Sequence, residues 1–194
     1  MTTLWIAKSV MLVAIIMTLV IRAPHGRRSR AMRIAKDRKS KWDVVLLLLT
    51  IVGFWMPLIW AGSSVFPFAD YTLHLGSLVV GVACYVIGLV LFYRSHTDLG
   101  TNWSVTLQIR DEHRLITRGV YRRVRHPMYA ALLLYSIGQA LVVPNWIAGP
   151  SYLIALTILF TCRIGVEERM MLEEFGDDYA EYVTSTNRFV PGFW

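Results

Sequence analysis

Two short stretches of this sequence carry residues that could bind a charged ligand. In the first, residues 121–129, three arginines and His126 stand immediately before Pro127, and an uncharged run follows. Because proline is favoured at the first position of a helix, we expect a helix to begin at Pro127 with His126 at its cap. The unbonded N–H groups and partial positive charge of a helix start favour a carboxylate or a phosphate. The arginines alone could serve only to hold lipid headgroups, whereas His126 and Tyr129 favour a ligand site.

The second stretch is Arg163-Ile-Gly-Val-Glu167-Glu168-Arg169, which follows an apolar run. Arg163 and Glu167 are four residues apart, so a surface ion pair worth about 0.3–0.5 kcal/mol is the simplest interpretation. Their position at the end of an apolar helix favours a ligand-binding role, because ionisable residues there tend to face protein or a cavity. The pair offers one group for a substrate anion and one for an ammonium or hydroxyl group.

The two stretches together predict a pocket with cationic donors, acidic acceptors and the flanking aromatic residues Tyr121 and Tyr129. Such a pocket suits a zwitterion joined to an aromatic base. S-adenosylmethionine fits that description, and so do other amphoteric ligands.

The elements that must position these residues are membrane helices. The chain is 55% hydrophobic with a mean hydropathy of +0.47, which exceeds the values of ordinary soluble domains. Residues 44–69, 71–93 and 128–162 contain no Lys, Arg, Asp or Glu, and about 20 apolar residues span a bilayer. The turn-forming pair Pro144-Asn145 divides the third run into a helical hairpin. Leu4–Ile21 adds a further span, because no small-residue cleavage site follows it as it would in a signal peptide.

We therefore expect an all-α integral membrane protein with about five transmembrane helices and one membrane domain over residues 1–194. Residues 22–41 hold nine basic residues and residues 62–70 hold none, so the N-terminus is expected outside and the C-terminus in the cytoplasm. Membrane lipid is the expected bulk partner of this charge, and nucleic acid is not. No metal is expected, since the cysteines and histidines lack ligand spacing.

Two cytoplasmic segments complete the expected architecture. Residues 94–127 form a loop in which 105–109 and 115–117 are short β-prone runs, forming either a small hairpin or an ordered loop. Residues 164–194 form the C-terminal segment, where Val166–Tyr182 has apolar residues at helical spacing. That spacing predicts an amphipathic helix on the membrane surface.

The ordered motifs of the C-terminal half resemble the isoprenylcysteine carboxyl methyltransferase family of integral membrane enzymes. These motifs are Leu99-Gly-Thr-Asn-Trp-Ser104, His113-Arg-Leu-Ile-Thr-Arg-Gly-Val-Tyr121, Arg125-His-Pro-Met-Tyr129, Arg163-x-x-x-Glu167-Glu168 and Phe175-Gly-x-x-Tyr179-x-x-Tyr182. By this resemblance, the residues that would contact S-adenosylmethionine are Gln108, His113, Leu115, Ile116, Tyr121, His126, Pro127, Tyr129 and Glu167. Arg163 would meet the substrate carboxylate, which makes Arg163 and Glu167 the expected catalytic pair.

The resemblance implies methyl transfer from S-adenosylmethionine to the carboxylate of a lipidated cysteine or a similar amphiphile, with S-adenosylhomocysteine as product. A methyl group on sulfonium is already activated and a carboxylate is ionised at neutral pH, so no general base is required. The Arg-His-Pro-x-Tyr motif also resembles phospholipid N-methyltransferases, in which an amine acceptor would need a proton acceptor such as Glu167 or Glu168. The general architecture resembles certain sterol reductases as well. A membrane scaffold without enzymatic activity is the alternative from another class.

Overall fold

A computed structural model describes residues 2–31, 34–37, 41–63, 65–100, 108–110 and 114–192, with the backbone alone at residues 2, 27–31, 34–37 and 108–110. The elements of this described part are α1 (Thr2–Ala31), β1 (Ile34–Asp37), α2 (Lys41–Gly62), α3 (Leu75–Leu99), β2 (Gln108–Arg110), α4 (Pro127–Val142), α5 (Ser151–Phe175) and α6 (Asp177–Ser185). Short 3-10 turns cover Pro67–Ala69 and Gly119–Arg122.

The predicted all-helical membrane architecture is confirmed. Within the described residues, three helical segments are long and apolar enough to cross a membrane, Thr3–Gly26, Lys41–Gly62 and Leu75–Leu99, and α4 is a shorter apolar helix. Many apolar side chains on α1, α2 and α3 point away from the protein, among them Trp5, Leu48 and Val86. Outward apolar faces of this extent suit lipid rather than water. The chain is thus a multi-pass integral membrane protein, while the count of five spans stays a prediction.

The hairpin predicted at Pro144-Asn145 joins α4 to α5 and is held by the side chain of Asn145. Its Oδ1 accepts hydrogen bonds from the N–H groups of Ile147 and Ala148, and its Nδ2 donates to Asp70 Oδ1 at 2.7 Å. Trp60 Nε1 donates to the same Asp70 oxygen, also at 2.7 Å. This network fastens the connection between α2 and α3 to the hairpin turn.

Glycines let α3 and α4 approach closely. A Cβ atom at Gly138 would lie 2.9 Å from the carbonyl oxygen of Gly81, and one at Gly88 would lie 3.0 Å from that of Ala131. Small residues at such crossings are typical of packed membrane helices. Because α3 and α4 run antiparallel, this packing sets the start of α4 beside the end of α3.

The ends of the helices fall into two groups. Lys8 Nζ donates to the carbonyl oxygen of Ala61 at 3.1 Å, so the start of α1 lies beside the end of α2. At the other end, His25 and His96 have ring centroids 5.0 Å apart, so the end of α1 lies beside the end of α3. We call this second end the basic end; it also holds the start of α4 and the charged part of α5.

Two strands connect the basic loops, and they alter one expectation. β1 pairs antiparallel with β2, with Lys36 opposite Ile109 and Asp37 opposite Gln108. The β-prone run near residue 108 therefore pairs with the first basic loop, and residues 115–117 form no strand with it. Both loops lie at the same end of the bundle, so their strands can pair with each other although they are far apart in sequence. The predicted hairpin considered only neighbouring residues.

The C-terminal helix is also divided differently from the prediction. α5 continues without a break from its apolar part to Phe175, and Gly176 adopts φ 53° before α6 begins. Glycine reaches this left-handed region at little cost, which explains a break at this position. The stretch Val166–Tyr182 is therefore helical but bent at Gly176, and α6 buries Tyr179 and Tyr182.

Candidate active site

The start of α4 has the predicted cap but is more covered than the sequence indicates. Pro127 is the first helical residue and His126 the N-cap. The N–H of His126 donates to the carbonyl oxygen of Arg188 at 2.9 Å, and that of Arg125 donates to Asn187 at 2.8 Å. The C-terminal segment thus runs alongside residues 123–126 and takes up one of the N–H groups at the helix start that we expected to be unbonded.

Glu168 ties this segment to the site. Its carboxylate accepts from Arg188 Nη2 at 2.8 Å and from Arg125 Nε at 3.3 Å, and His126 Nε2 lies 3.4 Å away. The contact with His126, and then that with Arg188, lowers the pKa of Glu168 from 4.5 to about 2, against the opposing effect of burial. Glu168 is therefore a firmly ionised anchor for three basic side chains.

Arg163 lies between two carboxylates on two helices. Its Nε is 3.7 Å from Glu167 Oε1, one turn along α5, and 3.6 Å from Asp43 Oδ1 on α2. The side chain of Arg163 is only 6% exposed and that of Asp43 only 7%. Arg163 Nε is buried and makes no hydrogen bond within the described part of the chain. This buried N–H group can therefore still donate a hydrogen bond to a ligand.

An aromatic stack connects this pair to the start of α4. The ring of Tyr129 lies parallel to His126, with centroids 5.3 Å apart and 6° between the planes, and stacks on Phe160 at 4.1 Å. His126 Nδ1 is 3.8 Å from Glu167 Oε2. The hydroxyl of Tyr129 is buried close to the Glu167 carboxylate, but it closes no hydrogen bond with a described residue. The predicted residues His126, Tyr129, Glu167 and Arg163 are thus brought together at the basic end.

Tyr121 is positioned by a turn at the end of α3. Asp98 Oδ2 accepts a hydrogen bond from the N–H of Val120 at 2.9 Å, and Gly119 adopts φ 61° against this carboxylate. Tyr182 donates its hydroxyl to the carbonyl oxygen of Tyr121 at 2.6 Å. Burial, and then the charges around it, including that of Glu167, raise the pKa of Tyr121. Tyr121 is therefore a buried neutral phenol that feels the charge of Glu167.

The other predicted cofactor residues are placed less fully. Leu115 and Ile116 are half-buried in the segment without regular secondary structure before Gly119. Gln108 lies in β2, where only the backbone is described, and His113 lies outside the described residues.

Three further residues of the described part contact this cluster, and none of them was predicted from the sequence. Asp43 is a lone acid before an apolar run, Phe160 is one apolar residue among many, and Arg188 lies in a segment without a recognised motif. No local signal identifies the first two. Arg188 is the single basic residue after Arg169, and no pattern around it indicates its contact with Glu168.

Comparisons with known proteins find relatives over the part of the chain that holds these residues. Residues 80–173 match the isoprenylcysteine carboxyl methyltransferase (ICMT) family. A probable protein-S-isoprenylcysteine O-methyltransferase of Oryza sativa subsp. indica is 31% identical over 114 residues, which are 58% of this chain and 60% of that protein. The protein-S-isoprenylcysteine O-methyltransferase of Dictyostelium discoideum is 30% identical over 75% of this chain and 59% of its own length. That of Homo sapiens is 34% identical over 54% of this chain and 37% of its own length.

The fold has a relative of known structure. A eukaryotic intramembrane Ras methyltransferase, solved without a monobody, matches with a TM-score of 0.54 and 24% identity, covering 81% of this chain and 55% of that one. This chain therefore spans little more than half the length of that relative, and about 60% of the rice protein. The segment that matches the family model contains Tyr121, His126, Tyr129, Arg163 and Glu167, so over residues 80–173 the chain is similar to the isoprenylcysteine carboxyl methyltransferase family.

Proposed function

We propose that this protein transfers a methyl group from S-adenosylmethionine to the carboxylate of a lipidated cysteine or a similar membrane amphiphile. The observation that carries the proposal is the buried Arg163, which lies beside Glu167 within the family-matched segment and has an Nε–H without a hydrogen bond in the described residues. The relatives in rice, Dictyostelium and human are named as protein-S-isoprenylcysteine O-methyltransferases. Entry of the acceptor from the bilayer would suit a molecule with a lipid tail.

The residues at the basic end fit S-adenosylmethionine. The Glu167 carboxylate, 27% exposed, can accept hydrogen bonds from an ammonium or from ribose hydroxyls. The buried hydroxyl of Tyr129 closes no hydrogen bond with a described residue and can donate to the ligand. S-adenosylmethionine would be held by Tyr121, His126, Pro127, Tyr129 and Glu167, with Leu115 and Ile116 from the preceding segment. The contacts of Gln108 and His113 with the cofactor stay predictions from the resemblance alone.

The chemistry then asks little of the protein beyond positioning. S-adenosylmethionine supplies a methyl group on a cationic sulfur, ready for displacement. Arg163 would orient the acceptor carboxylate through a charge-assisted hydrogen bond, which is stronger and shorter than a neutral one. The stack of Tyr129 on Phe160 lines that side of the site with aromatic rings, which would solvate a carboxylate poorly. A poorly hydrated, correctly aimed carboxylate is a better nucleophile than a hydrated one.

An amine acceptor has less support from the site. An ammonium group must lose a proton before it can accept a methyl group, so a basic residue would have to take that proton. Glu168, with its pKa lowered to about 2, is a very weak base. Glu167 is the remaining candidate from the sequence analysis, and the cofactor is expected to use it.

The location of the site follows from the charge of the loops. We place the basic end in the cytoplasm, with membrane lipid around α1, α2 and α3, because basic residues concentrate in cytoplasmic loops. Cofactor would then enter from the cytoplasm and the acceptor from the cytoplasmic leaflet.

Calorimetric titration of detergent-purified protein with S-adenosylhomocysteine tests the cofactor half of the proposal. Binding is expected, and its absence would favour a membrane scaffold. Methyl transfer from radiolabelled S-adenosylmethionine to an N-acetylated S-farnesylcysteine, with its carboxamide as the matched control, tests the acceptor half. The acid should be methylated and the amide should not. Labelling of phosphatidylethanolamine without labelling of the acid would replace this proposal with amine methylation.

A further inference from the structure

Asp43 is a buried acid outside the segment that carries the family resemblance. It lies in the first turn of α2, and residues 80–173 are the ones that match the family. Its side chain is 7% exposed and its Oδ1 is 3.6 Å from Arg163 Nε. Burying an ion pair costs several kcal/mol of desolvation for each ion, so stability alone is a weak reason for such a pair. Ionisable residues within membrane helices generally serve function.

The register of α2 against α5 sets this contact. A Cβ atom at Gly53 would lie 2.8 Å from the carbonyl oxygen of Ser151, and the hydroxyl of Ser151 donates to the carbonyl oxygen of Gly53 at 2.9 Å. From that crossing, Asp43 lies roughly 15 Å back along α2 and Arg163 roughly 18 Å forward along α5, at about 1.5 Å per residue. The antiparallel helices therefore carry the two side chains to the same level at the basic end.

Arg163 has two anionic neighbours that compete for it. Glu167, on its own helix, is 3.7 Å from its Nε, and Asp43, on the other helix, is 3.6 Å away. Neither contact closes to a hydrogen bond at Nε. Without Asp43, the nearby charge of Glu167 would draw the guanidinium along α5. Glu167 would then be occupied by Arg163.

We infer that Asp43 is a positioning residue that holds the Arg163 guanidinium toward α2 and so leaves the Glu167 carboxylate open to the cofactor. The inference rests on the proposed function, because it assigns Glu167 to S-adenosylmethionine and Arg163 to the acceptor. It gives the second helix a part in the reaction although that helix contributes none of the motifs.

The test is a suppressor experiment read by S-adenosylhomocysteine affinity, which needs no knowledge of the acceptor. Asp43→Asn should weaken binding about tenfold, a coupling within the range seen for residues in one charge network. Arg163→Gln should leave affinity within about threefold of wild type. Adding Arg163→Gln to Asp43→Asn should restore affinity, because no guanidinium remains to occupy Glu167. Glu181→Gln, on the exposed surface of α6, makes the same acid-to-amide change and should have no effect.

The competing outcomes are distinct. An ion pair with only a structural role predicts that Asp43→Asn and Arg163→Gln lower the thermal midpoint alike and leave affinity unchanged. Unchanged affinity in Asp43→Asn, or a double variant no better than Asp43→Asn, overturns the inference while the proposed function stands. Wild-type protein that binds no S-adenosylhomocysteine overturns both. If Asp43→Asn does not fold, Asp43→Glu replaces it, because the longer acid displaces the guanidinium toward Glu167 and should weaken binding in the same suppressible way.

Discussion

Arg188 Nη2 lies 2.8 Å from Glu168 Oε2, and this contact joins the C-terminal segment to α5 across the start of α4. Arg125 and His126 reach the other oxygen of the same carboxylate. The start of α4 is thereby enclosed on one side by residues 187–188 and on the other by α5. The charge of Glu168 holds this enclosure together.

The first prediction is acid sensitivity at Glu168. Its pKa in the folded protein is lowered from 4.5 to about 2. Its contribution to stability is therefore complete above its ordinary pKa and is lost as the pH falls from 4.5 toward 2. Glu168→Gln should lower the thermal midpoint at neutral pH, and its midpoint should then fall less steeply than that of wild type across this window. Glu181→Gln should keep the wild-type slope; equal slopes in Glu168→Gln would contradict the prediction.

A second prediction concerns the turn before Tyr121. In Gly119→Ala the new methyl group would overlap the Asp98 carboxylate, and the residue would keep φ 61°. Strain of this kind costs about 1–3 kcal/mol, and the hydrogen bond to Val120 would be disturbed as well. We expect a thermal midpoint lower by several degrees and weaker binding of S-adenosylhomocysteine. Gly76→Ala, where no atom lies within 4 Å of the new methyl group, is the control and should neither lower the thermal midpoint nor weaken binding.

The third prediction is the topology. The contact between Lys8 and Ala61 places the start of α1 and the end of α2 on one side of the bundle, and the basic loops lie at the opposite end. In a chain without Cys84 and Cys162, an impermeant thiol reagent applied outside sealed cells should label Val65→Cys and not Arg30→Cys. The reverse pattern would place the N-terminus in the cytoplasm and the proposed site outside.

Much of the fold was accessible from local sequence. Uncharged runs predict α2 and α3, and Pro144-Asn145 predicts the hairpin, because each depends only on neighbouring residues. The pairing of β1 with β2 was not accessible, since it joins residues more than 70 apart. The break at Gly176 was missed because apolar spacing continues across it.

The site divides in the same way. His126, Tyr129, Arg163 and Glu167 lie in two local motifs, and the hairpin alone brings these motifs together. Asp43 was not predictable, because one acid at the edge of an apolar run is equally typical of the water interface. Only the register of α2 against α5 shows that it turns inward toward Arg163.

The fourth prediction separates stability from binding at Tyr129. Its hydroxyl is buried and closes no hydrogen bond with a described residue, so Tyr129→Phe should preserve or raise the thermal midpoint while keeping the stack on Phe160 and His126. If the hydroxyl binds the cofactor, affinity for S-adenosylhomocysteine should fall about tenfold, which is about 1.4 kcal/mol. Arg122→Ala, at an exposed neighbouring position, should bind normally. Equal losses in both variants would indicate a general electrostatic effect and no site at Tyr129.

The last prediction assigns different roles to two residues one helical turn apart. Once an acceptor that the protein methylates has been found, Glu167→Gln should raise the KM for S-adenosylmethionine. Arg163→Ala should leave cofactor affinity nearly intact and depress turnover, because the acceptor carboxylate loses its orienting group. A simple ion pair within α5 predicts small and similar effects in both variants.

Arg163→Lys makes the distinction sharper. Lysine retains the charge but cannot reproduce the planar, two-pronged geometry of a guanidinium against a carboxylate. It also has one compact charge to share between Asp43 and Glu167, which lie 3.6 and 3.7 Å from Arg163 Nε on different helices. We therefore expect Arg163→Lys to recover only part of the activity. Should Arg163→Ala methylate normally while Glu167→Gln abolishes methylation without weakening cofactor binding, the acid at position 167 would be a proton acceptor and the acceptor an amine.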